Sequence, residues 1–217
     1  IGYIFIANLV ATVVTFLMLL PEMSQFIWRF DKVLWRKMMV YALPLMVAGL
    51  AGITNETIDR ILLQYLLPED ISASEIGLYS AFYKLSIIMT LFVQTFRFAA
   101  EPFFFSQEKE RNAKQIYAQI MKYFSIVTAF IFLSVMIYYD IVKQFIGSAF
   151  HDERGVVIVP ILLLANLFLG LYYNLSVWYK LTEKTQYGAY MSMLGAAITV
   201  IFNLALIPYL GFVGLSL

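Results

Sequence analysis

Asn55, Glu56, Asp59 and Arg60 crowd one short segment of an otherwise apolar stretch, and Lys84 stands alone in the next. Arg97 and Glu101 follow, one helical turn apart. At 100° per residue the first four fall within an arc of about 140° on a helix. Ile58, Ile61 and Tyr65 lie roughly opposite. A helix at membrane depth with one polar face offers both signs of charge to whatever it meets. Each such charge costs about 2.5–3.5 kcal/mol at mid-bilayer, so Glu56, Asp59, Arg60 and Lys84 together cost about 10–14 kcal/mol against lipid alone. That is comparable to the stability of a whole domain. They must pair, face a water-filled interior, or both.

Two arrangements are open. In the first, the charges are salt bridges that pin helices together. Glu56 and Arg60 form an i, i+4 pair with the acid N-terminal, the favourable order. Asp59 lies eight residues before Leu67, and Lys84 eight residues after Ile76. Both would sit about 12 Å below one surface and meet as antiparallel neighbours. In the second, they line a polar cavity that holds a substrate. Arg97 could snorkel to the headgroups or guard an entrance for an anionic lipid headgroup.

Other polar residues read as structure. Asn166, Asn174 and Asn203 are single amides of the kind that hydrogen-bond between membrane helices. Asn174-Leu-Ser176 has the form of a glycosylation sequon but falls inside a span. Gly188 and Gly195, with Ala189, Ala196 and Ala197, suggest a close-packed helix face. His151 is the single histidine and reads as a solvated loop residue beside Asp152, Glu153 and Arg154. There is no cysteine, so thiolate metal sites and a cysteine nucleophile are excluded. No phosphate-binding glycine loop or nucleophile elbow occurs. No catalytic, cofactor-binding or metal-ligating residue is expected.

The elements that position these residues follow from composition. Hydrophobic residues make up 62% of the 217 and charged residues 13%, against about 25% charged in soluble domains. Mean hydropathy is +0.80. A soluble core of this length cannot hide so much apolar surface. A net charge of +1 lacks the basic footprint of a nucleic-acid binder. A bilayer core needs about 20 apolar residues per helix. Six runs qualify: 3–20, 41–67, 76–100, 116–139, 156–179 and 187–207, with the start of a seventh at the end of the sequence. Pro21, Pro68, Pro102 and Pro208 are expected to close four of them. The fold class is therefore all-α, a polytopic transmembrane helical bundle; continuous runs of this length do not suit barrel strands.

Of the 15 Lys and Arg residues, ten fall in loops on one side and two on the other, with Arg60, Lys84 and Arg97 inside spans. The ten-residue side is cytoplasmic by the positive-inside rule. Residues 25–37 alternate apolar and basic side chains at helical spacing, with Trp28 and Trp35. They read as a helix on the cytoplasmic surface or an ordinary connector. The numerous aromatics suit interfacial belts or stacking faces for sugars. An apolar run starts at Ile1 and another at the last residues, so the chain reads as a fragment of a longer protein.

Several stretches carry a family resemblance. Gly77 to Leu85 (Gly-Leu-Tyr-Ser-Ala-Phe-Tyr-Lys-Leu), Phe96 to Ser106 (Phe-Arg-Phe-Ala-Ala-Glu-Pro-Phe-Phe-Phe-Ser) and Asp59-Arg60-Ile-Leu-Leu are three of them. The closing run from Thr182 to Gly214 is the fourth. Together they resemble the bacterial O-antigen or lipid-linked oligosaccharide flippases of the multidrug/oligosaccharidyl-lipid/polysaccharide exporter superfamily. The resemblance implies two six-helix bundles across a central cavity, with alternating access. Residues 1–20 would be the last helix of the first bundle, 21–40 the inter-bundle linker and 41–217 most of the second bundle. It implies a substrate cavity built from Asn55, Glu56, Asp59, Arg60, Lys84, Arg97 and Glu101. The cargo would be an undecaprenyl-pyrophosphate-type oligosaccharide, carried across the bacterial cytoplasmic membrane by a monomer of the full-length chain. There Arg60 and Lys84 would contact the pyrophosphate or acidic sugars, and Glu56 and Asp59 would bond hydroxyls. The alternatives are a proton- or sodium-coupled multidrug exporter of the same superfamily and a membrane enzyme acting on polyprenyl-linked sugars. The enzyme would want an Asp-x-Asp motif that the basic loops lack.

Overall fold

The computed structural model describes residues 2–23 and 30–211. Among the described residues there is no strand, and the regular elements are helices. In lipid every backbone N–H and C=O must be satisfied within the segment, so continuous apolar runs become helices. Six of them are long and apolar enough to cross a membrane. The start of a seventh span, Trp28 and the rest of 24–29 lie outside the described residues.

The chain divides into two units, Ile1–Met39 and Val40–Leu217. The first contains α1, Gly2–Met23. Its described side chains are exposed, and its hydroxyls turn inward: Thr12 donates to the Asn8 carbonyl and Thr15 to that of Ala11, each at 2.9 Å. That removes their polarity from an apolar surface. Helix α2, Lys32–Leu66, starts at the end of this unit. Asp31 caps it, accepting from the backbone N–H groups of Val33 at 2.8 Å and Leu34 at 3.1 Å. Residues 32–40, read from the sequence as linker, are thus the first turns of a helix that continues into the span.

The second unit holds the rest of α2, then α3 (Glu69–Gln107), α4 (Ala113–Ile137), the short α5 (Tyr139–Val142), α6 (Gly155–Leu181) and α7 (Gln186–Leu210). Two single-turn 3₁₀ segments lie between α5 and α6. Only Pro68 closes a helix as expected. Pro21, Pro102 and Pro208 lie inside α1, α3 and α7. Proline costs one backbone bond, and membrane helices tolerate it because neighbours and local adjustment satisfy the freed carbonyl. Helix α3 begins seven residues earlier than the apolar run suggests, because Glu69, Asp70 and Glu75 are polar yet helical.

Helices α3, α4 and α6 share the main core. Phe82, Leu85, Met89 and Val93 of α3 meet Phe124 and Val135 of α4 and Ile158, Val159 and Leu163 of α6. Leu63 of α2 and Ile207 of α7 reach the same cluster. Close approach depends on missing side chains. A Cβ on Gly170 would stand 2.5 Å from the Phe124 ring and 2.9 Å from Val93, and one on Gly155 would stand 2.4 Å from the Phe82 ring. A Cβ on Gly188 would stand 2.7 Å from the Tyr179 ring, but one on Gly195 would meet open space. The small-residue face expected on α7 is therefore real only at its start, where Gly188 and Ala189 are buried. Asn166 does cross-link helices: it accepts from Thr90 of α3 at 2.9 Å.

Candidate functional site

Two polar centres stand on α3, and they are built differently. The first gathers around Asp59. Its carboxylate accepts from the Tyr79 hydroxyl of α3 at 3.0 Å and from the Asn203 amide of α7 at 2.8 Å. One half-buried carboxylate thus ties three helices through neutral donors. Tyr83, one turn beyond Tyr79, donates to Glu56 at 3.4 Å. Its ring lies 5.2 Å beneath the Arg60 guanidinium. A cation over an aromatic face gains electrostatic attraction without needing a carboxylate.

These contacts set the register of α2 against α3 and correct the expected pairing. Asp59 stands opposite Tyr79, and Glu56 opposite Tyr83. Lys84 is five positions past Tyr79, about 7 Å deeper than Asp59. The reason is the connection. It is only Leu67 and Pro68, so α3 turns back at Glu69 rather than at Ile76. Lys84 is exposed, on the side of α3 away from buried Phe82 and Ser86. Among the described residues, no ion pair joins Glu56, Asp59, Arg60 or Lys84 to any partner. The salt-bridge arrangement is therefore not the one formed. Asn55 and Glu56 are exposed, and Arg60 is partly so.

The second centre lies about 27 Å along α3, eighteen residues on. Glu101 receives Lys180 of α6 and, at 3.6 Å, Arg97. The Arg97 guanidinium lies 4.4 Å from the Tyr173 ring of α6. A cleft opens here between α3 and α6, floored by Gly170 and lined by Val93, Phe96, Tyr173 and Asn174 as well. Arg97 and Glu101 therefore do not join the other five predicted residues.

The loop at the far end of α3 is a third polar cluster. Arg154 grips Asp152 through Nε at 3.0 Å and Nη2 at 2.8 Å, and reaches Glu75 of α3 through Nη1 at 3.1 Å. These bonds hold the Asp152 carboxyl below its ordinary range and push the guanidinium up. Gly211, at φ +58°, ends α7 beside Glu75, where a Cβ would come within 3.0 Å of the carboxylate. His151 is exposed but not idle. Its Nε2 sits 2.9 Å from the Lys143 carbonyl and 3.2 Å from that of Ile146. Two acceptors require that nitrogen to carry the proton.

Sequence reasoning missed Tyr79, Tyr83, Asn203, Tyr173 and Lys180 as partners of the charges. A tyrosine every fourth residue, at 79 and 83, opposite a carboxylate pair spaced by three was the available signal. Nothing in the sequence links Asn203 to Asp59 across 144 positions. Among the described residues no cluster of metal-ligating side chains occurs.

Residues 1–108 match a family model described as polysaccharide biosynthesis protein. The match covers α1, α2 and α3, and so contains all seven predicted residues. Over that stretch the chain is similar to polysaccharide biosynthesis proteins. No curated protein and no solved structure matches the chain.

Proposed function

We propose that this multi-pass membrane protein is a flippase for a lipid-linked oligosaccharide, working by alternating access across the bacterial cytoplasmic membrane. One observation carries the reading: Asn55, Glu56, Arg60 and Lys84 stay accessible on helices long and apolar enough to span a bilayer. Charges left open at that depth need water or a polar ligand, since lipid would penalise them. The match to polysaccharide biosynthesis proteins over the same helices supports a glycan as the cargo.

In this reading residues 1–20 close a first bundle, 21–40 link the bundles and 41–217 form most of the second. Arg60 and Lys84 hold the pyrophosphate, and Glu56 accepts from sugar hydroxyls. The Tyr83 ring holds the Arg60 guanidinium in place, so less side-chain entropy is lost when an anion arrives. The full-length chain acts as a monomer.

A proton- or sodium-coupled multidrug exporter is the second reading, favoured by Asp59. It is a membrane-depth carboxylate held by neutral donors, which is the environment a coupling cation would need. Two assays separate the readings. In a host lacking its own flippase, the full-length protein restores surface polysaccharide, and the Arg60→Ala, Lys84→Ala double variant, present at equal level, does not. Normal export by that variant removes the assigned roles. A shifted drug-resistance profile with unchanged polysaccharide favours the exporter.

A further inference from the structure

We infer that the cleft between α3 and α6 around Arg97 and Asn174 is a binding site for a lipid phosphate headgroup that also carries hydroxyls. The argument starts from an unsatisfied atom. The Asn174 amide nitrogen donates to the Gly170 carbonyl at 3.1 Å. Its oxygen Oδ1 is buried with no hydrogen-bond partner. Reversing the amide would set two oxygens against each other, so this orientation stands. A buried acceptor left unmade costs about 1–3 kcal/mol. The occupant it calls for is a donor, such as a hydroxyl.

The same cleft presents an anion site. The Arg97 guanidinium lies over the Tyr173 ring, 4.4 Å from its centroid, and touches Glu101 only at 3.6 Å, outside ordinary hydrogen-bond length. Most of its five donors stay available for a bidentate oxyanion. Lys180, Arg97 and Glu101 sum to one net positive charge, which repels a metal cation and welcomes an anion. The half-open cleft holds about 10 Å³, room for a single hydroxyl or water. The hydroxyl therefore enters, and the phosphate stays at the mouth against Arg97. Val93, Phe96 and Phe104 supply an apolar wall beside it for the first part of a hydrocarbon chain. Helix α3 is 39 residues long, about 58 Å, so it outreaches a hydrocarbon core of about 30 Å. Arg97, ten residues from its end, falls where headgroups lie.

Phosphate with free hydroxyls has two sources here: a membrane phospholipid such as phosphatidylglycerol, or the saccharide pyrophosphate of a transported lipid. Only the second source rests on the flippase reading. Full-length protein in nanodiscs, read by native mass spectrometry, distinguishes them. Phosphatidylglycerol is compared with phosphatidylcholine, and a polyprenyl-pyrophosphate-linked monosaccharide with bare polyprenyl phosphate. Preferential retention of the first pair's anionic member assigns the phospholipid, and of the second pair's saccharide the transported lipid. Either preference should weaken about tenfold in Arg97→Gln and in Asn174→Ala. Arg97→Lys should recover part of the loss, since it keeps the charge but not the stacked fork. Asn174→Ala removes no charge, so it decides the matter if Arg97→Gln fails to fold. Equal retention of all four lipids, or retention unchanged in Asn174→Ala, overturns the site and leaves the cleft to a water molecule. In the parent protein, no lipid preference together with normal polysaccharide export sinks this site alone, whereas no export together with a clear lipid preference counts against the flippase reading alone.

Discussion

Asp59 and Glu101 are both half-buried carboxylates, the first on α2 and the second near the end of α3, yet their surroundings differ in kind. Glu101 is met by two cations, Lys180 and Arg97, from α6 and its own helix. Asp59 is met by a hydroxyl and an amide, from two other helices. The first arrangement cancels charge and locks α3 to α6, which already share the core. The second leaves the negative charge uncancelled by contact, and joins α2 and α7 to that core chiefly through polar bonds, Leu63 and Ile207. A carboxylate neutralised in place suits a structural or anion-receiving role. One held by neutral donors keeps the freedom to gain or lose a cation.

That contrast can be broken by substitution. The largest effect is expected for Asp59→Ala, which leaves the buried Asn203 amide and the Tyr79 hydroxyl without an acceptor. About 1–3 kcal/mol for each orphaned group should appear as a lower Tm in detergent, with export lost. Asp59→Asn keeps an acceptor and should recover most of the Tm but not export. Recovery of both would show that the charge at 59 is dispensable.

Glu101→Gln comes next, at about 1–3 kcal/mol, because the largely buried Lys180 side chain loses its partner. Adding Lys180→Met should return part of that stability. A double-mutant cycle with no coupling between positions 101 and 180 would erase the claimed lock. Below that stands Gly170→Ala, beneath the Arg97 cleft. Its new methyl meets Phe124 and Val93, and overpacking costs about 1–3 kcal/mol, eased here by ring movement. Gly195→Ala, with open space around it, serves as the matched control and should leave Tm unchanged or raise it.

The smallest effect is a pH dependence at the third cluster. Hydrogen bonds from Arg154 lower the folded Asp152 carboxyl. Its stabilisation is full above the ordinary carboxylate range, about pH 4, and is lost as pH falls through the lower folded value. Thermal unfolding between about pH 5 and 2 should therefore show a steeper loss in the parent than in Asp152→Ala. Parallel curves would show that the Arg154–Asp152 bonds contribute nothing to stability.

Much of the architecture was legible because it depends on local quantities. Apolar runs longer than a bilayer is thick must be helices, and the seven polar residues stood out because charge is rare around them. Proline positions misled: they were read as helix ends, as in water, whereas membrane helices run through Pro21, Pro102 and Pro208. The depth of Lys84 was misread for a related reason. Hydropathy places the edge of a span at its first apolar residue, but Glu69, Asp70 and Glu75 begin α3, and an error of seven residues is about 10 Å of depth.

The sequence by itself determined that this protein is an all-helical membrane chain, where the six long apolar helices of the described residues lie and which residues carry a desolvation cost. Those follow from transfer free energies and helix geometry, which act on each segment alone. Only the tertiary structure decided who meets whom. Asp59 found Tyr79 and Asn203 rather than Lys84, Arg60 found the Tyr83 ring rather than Glu56, and Glu101 found Lys180. Such pairings depend on register and rotation between helices, and those are set by a two-residue turn and by glycines at close approach, not by the charges themselves.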